Sequence, residues 1–307
     1  MSAPLASSSL AACSVGANPI IWSNDDFPDL AGDVPLETIL HDMRAAGYAG
    51  SELGHAYPAS GVDLRTTLAA HELQLIGGWH STFLATRDLA TEEARFHQHL
   101  QRLQAAGAQV AIVAECSFCC HGDPDTALGS GDNPQPRLTP DQWSQLIAGL
   151  TRLVDIAAAT PLRLAYHHHM GTVIQDEASL DRLMQAVPSL QLVLDPGHLA
   201  FAGLDPIAVA RHYASRIAHV HLKSVRPAIV DRARTEAWSF HRAVKSGVFT
   251  IPGDPAGGIS FPSLFNVLAA AGYRGWLVVE AEEDPVQVPA LPKARAARDY
   301  VRQHTGA

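Results

Sequence analysis

The sequence predicts an α/β fold, a single-domain (β/α)₈ barrel of the TIM type with elaborated loops over its C-terminal mouth. Short apolar runs of strand character alternate with helical patterns along almost the whole chain, as is typical of repeated βα units. Eight such units in 307 residues suit the length of this barrel. An open doubly wound sheet is the alternative, but no glycine-rich phosphate loop follows the first apolar run.

The first half of the chain predicts four strand–helix units after a flexible leader at residues 1–15. Gly47 and Gly107 directly follow two helical patterns, and glycine at this position is a common helix stop. The predicted strands are residues 19–22, 50–53, 75–83 and 110–115, and the predicted helices are residues 36–46, 64–73 and 92–106.

The second half begins with an interruption at residues 117–138, which are rich in Gly, Pro, Asp and Ser. A loop of this length is usually functional, and we predict a lid over the mouth. Thr139 and Gln142 then have the spacing of a capping box at the start of a helix, with Pro140 in its first turn. Four further strands follow, separated by helices near residues 177–186, 206–214 and 261–271, with a second elaboration over the mouth at residues 227–253 that contains a helical piece at 236–244.

Composition narrows the range of partners. The chain has 22 basic and 31 acidic residues, a net charge of −9, and no basic run, which disfavours a nucleic-acid partner. No uncharged, unbroken apolar stretch reaches the roughly 20 residues of a membrane span, and the N-terminus lacks the basic start of a secretory signal. We therefore expect a cytoplasmic protein with no membrane partner, and a homo-oligomer is possible on general grounds.

The four strands of the second half each end in a group that can bind a metal ion. In a parallel barrel these ends meet at one mouth, where active sites are built. Histidine and carboxylate groups that converge there predict a site for a divalent cation. A satisfied core residue is an even alternative for any one of these groups, but a poor one for the set. The predicted ligands are His167, Asp195, His221 and Glu280, and the mixed N/O set suits Mn²⁺ or Co²⁺, with Mg²⁺ or Zn²⁺ possible.

Other polar groups at the strand ends are candidates for acid–base chemistry. Glu115 ends the fourth strand, and His169 and His198 lie close in sequence to predicted ligands. Lys223 either holds or protonates a substrate oxygen or forms a salt bridge with a ligand carboxylate, and the sequence favours neither role. We therefore predict Glu115, His169, His198 and Lys223 as the catalytic residues, without an assignment of acid and base.

Two further strand ends supply candidates for substrate binding. Residues 22–26 close the first strand with polar groups that could bind hydroxyls, and an ordinary turn capped by Asp25 and Asp26 is an equal alternative. The third strand ends in a similar way. The predicted substrate-binding residues are Trp22, Asn24, Trp79 and His80.

Three cysteines cluster at Cys116, Cys119 and Cys120, followed by His121. A C-x-x-C pair with a histidine can bind zinc, but a structural zinc site needs four ligands and the chain has no second C-x-x-C pair. We interpret these cysteines as reduced thiols in a loop.

Several of these segments resemble the inosose dehydratases, within the xylose-isomerase-like barrel superfamily. The most specific are residues 166–172 (YHHHMGT) and 247–254 (GVFTIPGD). Pro196, His80 and the cysteine cluster depart from the usual pattern. The other matching segments are residues 22–26 (WSNDD), 195–198 (DPGH), 219–223 (HVHLK) and 275–282 (GWLVVEAE).

The resemblance implies a metal-dependent hydro-lyase of inositol catabolism that converts 2-keto-myo-inositol to a trihydroxycyclohexane-1,2-dione. A polyhydroxy ketone is therefore the expected small-molecule substrate. The main alternative is an isomerase or epimerase of keto-sugars or ketocyclitols, because it would use the same metal-stabilised enediolate. A phosphodiester nuclease would need a basic groove, which the net charge of −9 disfavours. A non-catalytic sugar-binding protein is a more remote alternative.

Overall fold

The structure is a computed structural model, and it describes residues 9–24, 27, 30, 34–128, 136–283, 285 and 288–307. The strands are β1 (Ser14–Ala17), β2 (Gly50–Ser51), β3 (Gln74–Leu75), β4 (Gly77–Thr82), β5 (Val110–Glu115), β6 (Arg163–His167), β7 (Gln191–Leu194), β8 (Ile217–Leu222), β9 (Ser224–Val225), β10 (Phe249–Thr250) and β11 (Trp276–Val279). Nine of these strands form the main sheet and pair in parallel, in the order β3-β2-β1-β11-β8-β7-β6-β5-β4. The other two, β9 and β10, pair with each other.

The sheet closes on itself because its two outer strands are one continuous segment. Only Ile76 separates β3 from β4, and its backbone joins both neighbours. The N–H of Ile76 donates to the carbonyl of Ser51, and the carbonyl of Ile76 accepts from the N–H of Gln109. Nine assigned strands therefore occupy eight positions around a barrel, which confirms the predicted (β/α)₈ fold.

Helices alternate with the strands and cover the outside of the barrel. The predicted capping box is present at the start of the helix Pro140–Ala158. There the Thr139 hydroxyl accepts from the N–H of Gln142, and the Gln142 side chain accepts from the N–H of Thr139. The helices are α1 (Leu36–Ala46), α2 (Gly61–Ala70), α3 (Leu89–Ala106), α4 (Pro140–Ala158), α5 (Glu177–Ala186), α6 (Pro196–Ala202), α7 (Pro206–His212), α8 (Pro227–Thr235), α9 (Phe240–Lys245), α10 (Phe261–Ala270) and α11 (Ala290–Thr305).

The first strand lies earlier in the chain than the sequence predicts. Residues 19–21 form a 3-10 turn, because Asn18 caps it and Pro19 occupies its first position. The strand is instead β1, whose small side chains do not resemble a buried strand in the sequence. Gly16 is required there, because a Cβ at this position would lie 2.1 Å from the Cδ1 atom of Ile76.

The leader prediction is wrong for residues 9–15. Leu10 and Cys13 are buried, and Val15 pairs with Leu277 of β11. Residues 1–8 lie outside the described part of the chain. The C-terminal helix α11 packs on the barrel beside α1: the Tyr48 hydroxyl donates to the carbonyl of Ala294 at 2.8 Å.

A second hydrophobic cluster involves the segment before residue 129 and the elaboration after β8. An isolated bridge between Ala127 and Ser239 joins these two parts, and β9 and β10 form an antiparallel pair within the elaboration. Phe240, Phe249 and Met170 are buried in this cluster. The rest of the predicted lid, residues 129–135, lies outside the described residues.

Candidate active site

The four predicted metal ligands come together at the C-terminal end of the barrel. The Nδ1 atom of His221 lies at their centre, 3.2 Å from Nε2 of His167, 3.6 Å from Oδ2 of Asp195 and 2.6 Å from Oε2 of Glu280. The Nε2 atom of His167 is 3.5 Å from Oδ2 of Asp195. All four side chains are buried. His167, Asp195 and His221 therefore form one buried group that could hold a metal ion, and Glu280 joins this group through its contact with His221.

This arrangement fits a divalent metal ion. Metal–ligand bonds of about 2.1 Å place neighbouring ligand atoms roughly 3.0–3.4 Å apart, close to the separations seen here. Among the described residues, Oδ2 of Asp195 is buried without a hydrogen-bond donor within normal distance. A buried carboxylate oxygen in this state is costly, and a cation would satisfy it. His167, Asp195, His221 and Glu280 are the residues that would hold the ion.

A third carboxylate orients His221 from its other side. The Oε1 atom of Glu52 is 3.0 Å from Nε2 of His221 and 2.6 Å from Nε2 of His219, and its Oε2 atom accepts from the Asn18 amide at 2.7 Å. With Nε2–H of His221 donating to Glu52, the Nδ1 atom faces the cluster. Carboxylates commonly fix metal-binding imidazoles in this way.

The charges around His221 control its protonation. Burial alone would lower the pKa of His221, but the carboxylates of Glu280 and Glu52 outweigh burial and hold this pKa well above its usual value. Burial raises the pKa of Glu52, and the two histidines next to it more than reverse the effect. Without a metal ion, His221 is therefore an imidazolium surrounded by carboxylates.

Lys223 forms ion pairs with two carboxylates, as the second of its two predicted roles would require. Its ammonium is fully buried, 2.6 Å from Oε1 of Glu280, 2.7 Å from Oε1 of Glu282 and 3.1 Å from Nε2 of His198. Burial lowers the pKa of Lys223, but the carboxylates of Glu280 and Glu282 raise it well above its usual value. The side chain does not line the cavity and stays protonated as a counter-charge to a ligand carboxylate.

A cavity of about 140 Å³ opens beside the predicted metal ligands. Its wall carries imidazoles, carboxylates, an amide and a hydroxyl around a few apolar side chains, which suits a small polyhydroxylated molecule. The described residues that line it are Asn18, Ile20, Glu52, Leu53, Trp79, Ser81, Ile112, His121, His167, His169, His221, Glu280 and Glu282.

Of the four predicted catalytic residues, only His169 lines this cavity. Its Nδ1 atom lies 2.8 Å from the carbonyl of Met170 and donates to it, so the lone pair is on Nε2. Burial, followed by the charge of His121, lowers the pKa of His169 well below its usual value. His169 is therefore a neutral imidazole that can accept a proton.

The structure does not bring Glu115 or His198 to the cavity. The Glu115 carboxylate is fully buried and accepts hydrogen bonds from the Thr82 hydroxyl and from three backbone N–H groups. His198 does not line the cavity, and its Nδ1 atom accepts a hydrogen bond from the N–H of Met170. Glu115 therefore braces a loop and His198 contacts Lys223.

The predicted substrate-binding residues divide in the same way. Trp79 lines the cavity, with its ring 5.3 Å from that of His167. His80 does not, because neighbouring strand residues face opposite sides and it packs on Phe96 outside the barrel. The Trp22 indole donates to Asp42 of α1 at 3.0 Å. Asn24 accepts from the N–H of Phe27, and Asp25 and Asp26 lie outside the described residues.

Sequence reasoning missed Glu52, Asn18 and Ser81. Glu52 follows β2 directly, in the same position as Asp195 after β7, but β2 has only two small residues and no apolar run. Ser81 shares the inward face of β4 with Trp79, and this two-residue alternation could have identified it.

A family model described as xylose isomerase-like TIM barrel matches residues 40–304, and the chain belongs to this family. The rhizopine catabolism protein MocC of Rhizobium meliloti is 40% identical over 305 residues, which are 99% of this chain and 92% of that protein. An inosose dehydratase of Geobacillus thermodenitrificans is 40% identical over 294 residues, 95% of this chain and 97% of that protein. These relatives confirm the resemblance to inosose dehydratases.

Among solved structures, the IOLI protein with a binding zinc atom superposes with a TM-score of 0.68 at 14% identity, covering 95% of this chain and 98% of that chain. At this identity the match supports the barrel fold. Among the described residues, no helix is long and apolar enough to cross a membrane.

Proposed function

We propose that the protein is an inosose dehydratase that uses Mn²⁺ or Co²⁺ to remove water from 2-keto-myo-inositol and yields a trihydroxycyclohexane-1,2-dione. Relatives with this name are about 40% identical over 95% of the chain, so the protein is a hydro-lyase of inositol catabolism. The observation that supports the metal dependence is the buried group of His167, Asp195 and His221, with Glu280 in contact with His221, beside a polar cavity.

The donor set supports this choice of ion. Two imidazoles and two carboxylates are a mixed N/O set, which favours Mn²⁺ or Co²⁺ over the all-oxygen sites typical of Mg²⁺. Bound there, the ion would polarise the ketone and a neighbouring hydroxyl and stabilise the charge that develops when the α-proton is removed.

The chain itself supplies a proton acceptor on the cavity wall. The Nε2 atom of His169 takes the α-proton, since its Nδ1–H is held by the carbonyl of Met170. The resulting imidazolium then donates this proton to the departing β-hydroxyl. Such transfers by a positioned side chain are typically worth about 10² to 10⁴ in rate. Lys223 does not exchange protons, because two carboxylates hold its ammonium.

The other walls orient the substrate. Trp79 is 37% exposed and offers an indole face to the C–H face of a cyclitol ring. Asn18 and Glu282 lie on the same wall as the ligands and offer polar atoms to ring hydroxyls. The ring of Phe240 packs against that of His169, with ring centroids 5.3 Å apart, and shields this side of the imidazole from water.

The test is product analysis with 2-keto-myo-inositol and metal-stripped enzyme, with and without Mn²⁺ or Co²⁺. We expect dione absorbance only when metal is added, and a loss of at least about 100-fold in kcat for H169N with metal affinity unchanged. An isomeric ketocyclitol in place of the dione would make the enzyme an isomerase. A dione formed equally fast without metal would refute the metal dependence.

A further inference from the structure

Two thiols lie beside the catalytic cavity, and the proposed function does not use them. The carbonyl of Cys116 accepts a hydrogen bond from the N–H of Cys119 at 3.2 Å, which closes a tight turn directly after β5. Phe118 in this turn has a positive φ of 61°. The first and fourth residues of a turn have Cα atoms within about 7 Å of each other, a separation that includes the disulfide range. The Cys116 thiol donates to the carbonyl of Ala114 at 3.6 Å and also interacts with the side chain of Cys119.

Each thiol also contacts the lining of the cavity. Cys116 interacts with the hydroxyl of Ser81, which accepts from the indole N–H of Trp79 at 2.8 Å. Cys119 is hydrogen-bonded to the side chain of His121. Because Ser81, Trp79 and His121 all line the cavity, the thiol pair connects two parts of its wall.

The two cysteines differ in the way that oxidation to a disulfide requires. The interaction with Cys116, followed by that with His121, lowers the pKa of Cys119 and so favours its thiolate. Hydrogen bonding to Cys119 and burial raise the pKa of Cys116, which stays a thiol. Cys119 is half-buried and within reach of small oxidants, whereas Cys116 is only 4% exposed. An accessible thiolate next to a second cysteine is the usual arrangement of oxidation-sensitive pairs.

We propose that Cys116 and Cys119 form a dithiol that hydroperoxides oxidise to a disulfide, and that this disulfide lowers the activity of the enzyme. The Cys119 thiolate attacks the peroxide, breaks its O–O bond and becomes a sulfenic acid, while the other oxygen leaves as hydroxide or alkoxide. Cys116 then displaces the sulfenic oxygen, which leaves as water with the two available protons. In sum, two thiols and one hydroperoxide give one disulfide, one alcohol or water molecule, and one water molecule.

The disulfide would disturb the cavity at two places. It changes the interaction of Cys116 with Ser81 and the interaction of Cys119 with His121. His121 is in turn packed edge-on against His169, with ring centroids 5.2 Å apart. Displacement of groups around a reacting centre by about 1 Å can cost up to 10²-fold in rate.

The first measurement maps the thiols of the metal-loaded enzyme by differential alkylation and mass spectrometry after treatment with stoichiometric hydrogen peroxide. We expect a Cys116–Cys119 disulfide, with Cys13 and Cys120 still reduced. Before oxidation, iodoacetamide should modify Cys119 at least about tenfold faster than Cys120, because only Cys119 is a thiolate. Disulfide formation between other pairs, or equal rates for all cysteines, would overturn the proposal.

Cysteine variants distinguish the thiol that attacks the peroxide from the thiol that then reacts with the sulfenic acid. In C116S, a sulfenic acid should accumulate on Cys119 and react with dimedone, whereas C119S should not react quickly at Cys116. C120S is the matched control and should still form the disulfide. If neither C116S nor C116A folds, C119S and C120S still test the proposal. Peroxide should form no disulfide in C119S and should form the Cys116–Cys119 disulfide in C120S.

The effect on activity rests on the proposed function, but the thiol mapping does not. We expect kcat/KM to fall by about tenfold after peroxide treatment and to recover with dithiothreitol, and to stay unchanged in treated C119S. A mapped disulfide with full activity would overturn the regulatory part of the proposal. Absence of dehydratase activity before oxidation would instead count against the proposed function and leave the mapping valid.

Discussion

Replacement of Glu52 by glutamine tests whether this carboxylate orients His221 for metal binding. One oxygen of Glu52 accepts from both His219 and His221, and the other accepts from the amide of Asn18. Glutamine has only one acceptor oxygen. If that oxygen faces the histidines, the new NH₂ group faces the donor of Asn18; if the amide is reversed, the histidines lose their acceptor. One side of the network is therefore lost in either orientation.

The expected loss can be estimated from the bonds involved. Hydrogen bonds to a carboxylate are roughly twice as strong as those to a neutral acceptor. Loss of a carboxylate partner behind a metal-binding histidine typically costs about 10- to 100-fold in metal affinity, or about 1.4–2.8 kcal/mol. We therefore expect E52Q to bind Mn²⁺ or Co²⁺ 10- to 100-fold more weakly.

The assay is competition with a chromophoric chelator, with circular dichroism to verify folding. E37Q is the matched control, because Glu37 also pairs with a histidine, His71, at 3.2 Å, but its side chain is 81% exposed. Exposed pairs contribute little, so the affinity of E37Q should match wild type. H219Q keeps the bond between Glu52 and His221 and should weaken binding less than E52Q. A folded E52Q with wild-type affinity would refute the orienting role.

Three other predictions concern the cluster and the barrel wall. E280Q and D195N should each abolish stoichiometric binding of Mn²⁺ or Co²⁺ in equilibrium dialysis, since each removes a charged ligand; retention of full metal-dependent activity would make the assignment wrong. K223M should lower the unfolding free energy of the metal-stripped enzyme by about 3–5 kcal/mol in urea titrations, because it leaves buried carboxylates without their cation, and an unchanged midpoint would contradict this. H80F should improve stability in acid: burial lowers the pKa of His80 to about 4, so the unfolded state binds its proton first and stability falls from about pH 6.5 downward. We expect H80F to recover about 1–3 kcal/mol at pH 4, and identical pH profiles for variant and wild type would count against it.

The barrel and the placement of the four predicted ligands at one end of it were predictable because their signals are local. Each of the four ligand strands is a buried run that turns polar at its C-terminal end, and barrel topology brings such ends together. The placement of Trp22 and His80 was not predictable in this way. Trp22 follows a 3-10 turn in place of a strand, and His80 faces outward because of its parity along β4. A shift of one residue reverses the face of every side chain in a strand.

The contrast between Lys223 and His221 shows why the remaining roles required the structure. Both are buried cationic groups on or just after β8, and both contact Glu280. Only His221 offers a nitrogen that can exchange its proton for a metal ion, because Glu52 holds its other nitrogen. Lys223 contacts two carboxylates and offers no lone pair while it is protonated, so it remains as a permanent counter-charge. The sequence places both residues at the mouth, but their roles depend on which carboxylates the barrel brings beside each nitrogen.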